Sequence, residues 1–374
     1  MRPENRRGTH SVPISDIRAS AYEVPTDAPE SDGTFAWRST TLVVVELTAG
    51  GEHGLGYTYA DACTVDLVQR VLGEVLRGHD AMDIPARMDA LMRRMRNIGW
   101  RGAGAMALSA VDVALWDLKA RLLGLPLMRL LGAARTRVPV YGSGGFTSYS
   151  LEQLQAQLGG WVAQGFSRVK MKVGSQPEED PERVAAARRA IGPHAALFVD
   201  GNGAYSVAQA LLLAERFVEQ GVSWFEEPVS SDDLEGLHRI RAKVPAGLAV
   251  AAGEYGDSAL YFRRMLSAGA VDVLQADATR CLGISGFLQA DALCQAFQVP
   301  LSAHCAPALH AQVGCASRRL VHLEYFHDHA RLEELLFDGS PRVEHGELVP
   351  DGTRPGLGLE LKRADAERYA VMRP

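Results

Sequence analysis

From Val138 to Glu324 the sequence alternates eight times between short apolar runs and segments whose apolar residues recur every three or four positions. Each unit spans about 25 residues, with short connections. Strands are predicted at Val138–Tyr141, Ser167–Val173, Ala195–Val199, Val222–Phe225, Leu248–Ala252, Val271–Gln275, Val299–Ser302 and Leu320–Glu324. The first two intervening helices stop at Gly165 and Gly192, as helices commonly do. Strands joined through helices run parallel, and eight of them close into a barrel. An open doubly wound sheet is the competitor. Eight regular units, and no G-x-G-x-x-G after any strand, disfavour it.

Upstream the rhythm differs. Ile14–Val24, Thr40–Thr48 and Gly54–Tyr59 predict strands, with Pro25–Arg38 as a polar loop between the first two. Asp66–Leu76, Ala86–Arg96 and Ala103–Leu123 then predict helices. Strands followed by helices indicate a separate α+β unit over 14–131. The barrel takes 132–342. The stretch 343–374 leaves the period, is rich in Gly, Pro and charge, and is expected to pack back on the first unit. Met1–His10 is polar and arginine-rich and reads as a loose tail without the pattern of a signal peptide.

Composition narrows the partners. A net charge of −6 excludes the basic footprint of a nucleic-acid binder. The longest apolar runs, such as Thr41–Leu47, are too short to span a bilayer. Five cysteines without a C-x-x-C pair predict free thiols in a reducing cytoplasm, and neither a zinc site nor a disulfide framework.

In a barrel of this kind the chemistry sits where the strands end. From the second strand to the eighth, each apolar run closes on ionisable groups: Lys170 and Lys172, then Asp200, Glu226, Glu254, Asp277, His304 and Glu324. Lys170 and Lys172 face one side of their strand. They are two of only five lysines among 39 basic residues. A partly buried lysine beside another cation can lose its proton near neutrality, which arginine cannot do. We therefore expect a lysine base whose pKa its twin lowers. Asp200, Glu226 and Glu254 would repel one another unless a hard cation held them, and Mg²⁺ suits three oxygen donors better than Zn²⁺. Asp277 beside His304 would fix the imidazole tautomer and make a second acid/base group.

The ordered set K-M-K, V-D-G-N, F-E-E-P, A-A-G-E, Q-A-D-A-T-R-C-L-G-I-S, S-A-H-C and H-L-E-Y resembles the mandelate racemase subgroup of the enolase superfamily over nearly the whole chain. The resemblance implies a modified TIM barrel, (β/α)7β, with an N-terminal α+β capping domain completed by the C-terminal tail. It implies one Mg²⁺ per subunit on Asp200, Glu226 and Glu254. Lys172 would be the base on one face of a small carboxylate substrate, with Lys170 tuning it. His304, paired with Asp277, would act on the other face. Glu324 would contact the substrate carboxylate as a hydrogen-bonding acid, Glu227 would support the metal ligands, and Asn202 would touch metal-bound water or substrate. The implied reaction removes a proton α to a carboxylate to give an ene-diolate. Acid-sugar dehydration is the first expectation, then racemisation or epimerisation, then lactone cycloisomerisation. A barrel that binds without turnover is disfavoured, since no catalytic group is missing. Trp37 and Arg38, with Tyr57 and Tyr59, are expected as lids over the mouth, with Arg38 suited to a distal carboxylate. A homo-oligomer, dimer or octamer, is expected as in the family. One departure is Leu282, where family members often carry glycine.

Overall fold

The computed structural model describes residues 11–373, so Pro374 and the tail expected at Met1–His10 lie outside the described residues. Three antiparallel strands, β1 (Ile14–Ser31), β2 (Ala36–Ala49) and β3 (Glu52–Tyr59), open the chain. The helix Ala103–Leu122 packs on this sheet. Its alanines and leucines are buried on most sides because it is clamped between the sheet and the barrel helix Gly283–Phe297.

The first two strands run further than expected. The stretch predicted as a loop over Pro25–Arg38 is mostly strand, and only residues 32–35 remain a turn. Pro25 and Pro29 suggested a break, but proline is tolerated on a strand whose other edge is open. Beyond Tyr22, β1 pairs only with β2, with a register shift between Pro25 and Glu30. The result is a long hairpin arm. Its tip lies on the barrel: a Cβ added at Gly33 would meet the carbonyl oxygens of Gly201 at 2.5 Å and Val173 at 2.6 Å. Only a residue without a side chain allows that approach.

Eight parallel strands follow: β4 (Val138–Gly144), β5 (Arg168–Lys172), β6 (Ala196–Asp200), β7 (Val222–Glu226), β8 (Ala249–Ala252), β9 (Val273–Ala276), β10 (Leu301–Ala303) and β11 (Leu320–Phe326). They pair in sequence order, and β11 pairs in parallel with β4, closing the barrel. Tyr141, Phe198, Trp224, Ala251 and Val273 fill the interior as an apolar layer. Strand side chains alternate, so the inward position two residues beyond Phe198 is Asp200, and two beyond Trp224 is Glu226. An aromatic floor thus lies beneath a layer of charge.

After β11 comes the helix His327–Leu336, then β12 (Phe337–Asp338). The hairpin of β13 (Arg342–Glu344) and β14 (Glu347–Val349) adds antiparallel to β4. β15 (Glu360–Leu361) pairs with β12, and β16 (Ala370–Met372) lies beside β1. Among the described residues no helix is long and apolar enough to cross a membrane.

Candidate active site

Lys172, Asp200 and Glu226 are direct neighbours in the parallel register of β5, β6 and β7. Registry alone brings their side chains together at the mouth of the barrel. Glu254 arrives differently, because β8 ends at Ala252. Gly253, at φ +133°, turns the chain so that Glu254 points inward. A Cβ at Gly253 would sit 2.3 Å from the Gln275 carbonyl oxygen. One carboxylate oxygen from each of Asp200, Glu226 and Glu254 lies within 4.8 Å of the others, and all three residues are buried.

The lysines lie against these carboxylates. Lys170 Nζ donates to Glu226 Oε1 at 2.5 Å and lies 2.7 Å from Glu324 Oε1 and 3.3 Å from Asp200 Oδ2. Lys172 Nζ donates to Asp200 Oδ2 at 2.6 Å. This corrects the expectation that the twin lysine sets the proton affinity of Lys172. Burial lowers it most and Lys170 lowers it further, but Asp200, with Glu254 and Glu324 adding to it, raises the ammonium above its ordinary value. In return, against the cost of burial, Lys172 and Lys170 hold the Asp200 carboxyl down at about 2. Burial and the adjacent Asp200 push Glu226 up, against the pull of Lys170.

The opposite wall carries the imidazole. His304 Nδ1 lies 2.8 Å from Asp277 Oδ2. Asp277 Oδ1 accepts the Thr279 N–H and hydroxyl, both at 2.7 Å, so the carboxylate is fixed from behind. Burial would raise it, but the His304 imidazole, with Arg280 and His310 adding to it, holds it well below the usual carboxylate range. His304 Nε2 faces Glu254 Oε2 at 3.4 Å and Glu324 Oε2 at 3.6 Å. Glu324 accepts Ser143 Oγ–H at 2.6 Å and the Cys305 N–H at 3.2 Å. The protonated form expected of Glu324 is not what the structure favours. Burial would raise its carboxyl, but Lys170 beside it, with His304, holds it well below its ordinary value as a carboxylate.

The cavity above these groups has a volume of about 590 Å³ and lies between barrel and cap. Trp37 and Asn202 line it, as expected. Arg38 does not. Neighbours on a strand face opposite ways, and with Trp37 turned to the cavity, Arg38 is exposed to solvent. Tyr57 does not line it either. Its ring is fully buried, its hydroxyl donates to Glu333 Oε1 at 2.6 Å, and it accepts the Leu309 N–H at 3.1 Å. It is a brace between cap and barrel.

Arg280 and Trp224 had no role assigned from the sequence. Arg280 lies 3.6 Å from Glu254 Oε1, and its guanidinium sits 5.1 Å from the centre of the Tyr255 ring. Trp224 Nε1 donates to Glu226 Oε2 at 2.9 Å, a contact that the two-residue strand period implies. Asn202, Glu227, Cys305 and Ala306 all have positive φ in the loops after β6, β7 and β10. Such backbone is costly for residues with side chains and clusters at functional sites. Leu282 is left-handed too, at φ 71°, a conformation that glycine adopts without strain.

A divalent cation fits the residues present. Asp200, Glu226 and Glu254 offer only oxygen donors, and Glu254 Oε2 is buried without a hydrogen-bond partner. Hard cations take such a set.

Comparison with known proteins agrees. Residues 18–132 match the profile described as the mandelate racemase/muconate lactonizing enzyme N-terminal domain, and 153–366 match the enolase C-terminal domain-like profile. D-galactarolactone cycloisomerase of Agrobacterium fabrum is 30% identical over 96% of this chain and 100% of its own length. L-talarate/galactarate dehydratase of Salmonella typhimurium is 30% identical over 96% of this chain and 91% of its own. A mandelate racemase/muconate lactonizing enzyme-like protein from Rubrobacter xylanophilus superposes with a TM-score of 0.94 at 56% identity, over 96% of this chain and 100% of that one. A Streptomyces coelicolor racemase with bound magnesium superposes at 0.90 with 30% identity, over 96% and 100%. The chain belongs to the mandelate racemase/muconate lactonizing enzyme family of the enolase superfamily.

Proposed function

We propose that the protein removes the proton α to the carboxylate of a hydroxylated monocarboxylic acid and completes the reaction as a dehydration. The observation that carries this reading is the pair of proton-transfer groups, Lys172 on one wall and the Asp277-oriented His304 on the other, around the carboxylate trio. Asp200, Glu226 and Glu254 would hold Mg²⁺, the ion bound by the S. coelicolor racemase. Bound there, the cation would take up the charge of the three carboxylates and steady the negative charge that develops on the substrate carboxylate.

Lys172, released from Asp200 and having given its ammonium proton to solvent, accepts the α-proton at Nζ, and the C–H electron pair moves towards the substrate carboxylate. Lys170 stays protonated beneath it. Burial alone would lower its ammonium, but Glu226 and Glu324 keep it above its ordinary value. His304 gives a proton from Nε2 to the β-hydroxyl as the C–O bond breaks, so water leaves and the enol becomes a 2-keto acid. Asp277 holds Nδ1 and keeps the imidazole in place for that transfer. Epimerisation uses the same groups, with His304 returning the proton to carbon.

The lining supports a monoacid. Its lysine and arginine side chains, Lys172 and Arg280, rise from the barrel. The cap side contributes Asp32, Asp61, Thr34 and Ser39 beside Phe35 and Trp37. These hydroxyls and carboxylates suit a hydroxylated chain and repel a second carboxylate. In this reading residues 14–131 form the cap that selects the substrate and 132–342 the catalytic barrel; of the tail expected to complete the cap, β16 joins it beside β1, while the β13–β14 hairpin extends the barrel sheet at β4. The five free thiols support a reducing, cytoplasmic setting.

The test is incubation with Mg²⁺ and a panel of mono- and diacid sugars in D₂O, read by NMR and mass. Keto acid from a monoacid is expected. Deuterium at the α-carbon or an epimer, without keto acid, would replace dehydration by racemisation.

A further inference from the structure

Outside the cavity, the hairpin arm meets the helix His327–Leu336 through a cluster of charges. Three carboxylates, Asp27, Glu30 and Asp328, face one arginine, Arg331, and one imidazole, His327. Asp328 is fully engaged: Oδ1 takes Arg331 at 2.5 Å and Oδ2 takes the Thr40 hydroxyl. Asp27 Oδ2 lies 2.8 Å from His327 Nε2. Glu30 is 1% exposed, and its Oε2 accepts the Trp37 indole N–H at 2.8 Å. Its Oε1 is buried and has no partner.

A buried carboxylate oxygen without a partner is costly. Three carboxylates against one permanent cation also leave the cluster short of positive charge. Burial, with Asp328 adding to it, pushes the Glu30 carboxyl up to about 8. One donor atom from each of Asp27, Glu30 and His327 lies within 4.8 Å of the others.

We propose that Asp27, Glu30 and His327 form a second divalent-cation site, separate from the carboxylate trio, that fastens the arm to the barrel. Two carboxylates and one imidazole favour a borderline transition cation such as Zn²⁺ over Mg²⁺, because the nitrogen donor is wasted on a hard ion. Asp27 is exposed and His327 half-buried, which gives an ion a path from solvent and leaves room for water ligands. The effect on the cavity runs through Trp37, which lines it and is held by Glu30.

The test is calorimetric titration of Zn²⁺ into the full-length protein in excess Mg²⁺, which occupies the trio. One equivalent of Zn²⁺ is expected. His327→Asn and Asp27→Asn should each weaken it by about tenfold or more, and Glu226→Gln should leave it. Neither Asp27 nor His327 is a core residue, and circular dichroism checks that both variants are folded. No Zn²⁺ uptake beside Mg²⁺ would overturn the proposal. So would an equivalent that survives both His327→Asn and Asp27→Asn, or one lost only in Glu226→Gln.

Discussion

Lys172 and Asp200 stand directly opposite each other on neighbouring parallel strands, and their side chains meet at 2.6 Å. The pair joins the group proposed to take the proton to a group proposed to hold the cation. Whatever engages Asp200 therefore changes the basicity of Lys172. Base strength and metal occupancy are linked by geometry, without any moving part.

Replacing Lys172 by methionine keeps the volume and removes the amine. We expect kcat to fall by about a hundred- to ten-thousand-fold, while Mg²⁺ affinity, read by calorimetry, is retained. Unchanged exchange of the substrate α-proton in D₂O would remove Lys172 from the mechanism.

Asp277→Asn should leave the imidazole in place but favour the wrong tautomer. The expected loss in kcat is again about a hundred- to ten-thousand-fold, with little change in KM. A variant that lost KM alone would make Asp277 a binding group.

Removing divalent metal with a chelator should abolish turnover, and added Mg²⁺ should restore it. Glu226→Gln or Glu254→Gln should weaken Mg²⁺ binding by at least about tenfold. Calorimetry checks this without reference to activity.

Tyr57→Phe should cost about 1–3 kcal/mol of stability, because it leaves the Leu309 N–H without its acceptor and Glu333 short of a donor. KM should hardly change, since Tyr57 does not line the cavity. A large rise in KM at unchanged stability would return Tyr57 to the substrate.

Glu333 gives a pH signature. Burial raises its carboxyl from the ordinary 4.5 to about 8. Between those values the folded protein holds a proton that the unfolded chain has released, so this group makes stability fall as pH rises. Below that window it makes no difference. Glu333→Gln should flatten the decline in Tm across the same range. An unaltered slope would show that Glu333 is ionised when folded.

Much of this was legible because strand geometry is periodic. The residues closing β5, β6 and β7 could be placed by counting, and registry did the rest. The arm was not legible, since Pro25, Pro29 and Gly33 carry the composition of a loop. What makes the arm strand is the pairing of Val24, Pro25 and Glu30 with Thr40, Ser39 and Trp37 across the hairpin. Arg38 was misplaced despite being legible: a strand cannot turn Trp37 and Arg38 to the same side. Tyr57 was not legible, because its partner Glu333 is 276 positions away. The state of Glu324 depends on Lys170, reached across the barrel closure from β11 through β4 to β5, which no local pattern announces.

At its tip the arm approaches the barrel through Gly33, against main-chain carbonyls of Val173 and Gly201. A docking surface made of backbone is indifferent to sequence on either side of it. In the proposed reading, selectivity and reaction chemistry are therefore written on separable stretches of chain. Residues at the tip can be exchanged for those of a relative while this backbone contact is kept, provided the glycine stays. On that reading, a protein of this kind changes diet by rewriting one hairpin, while the strand ends proposed to move protons are left alone.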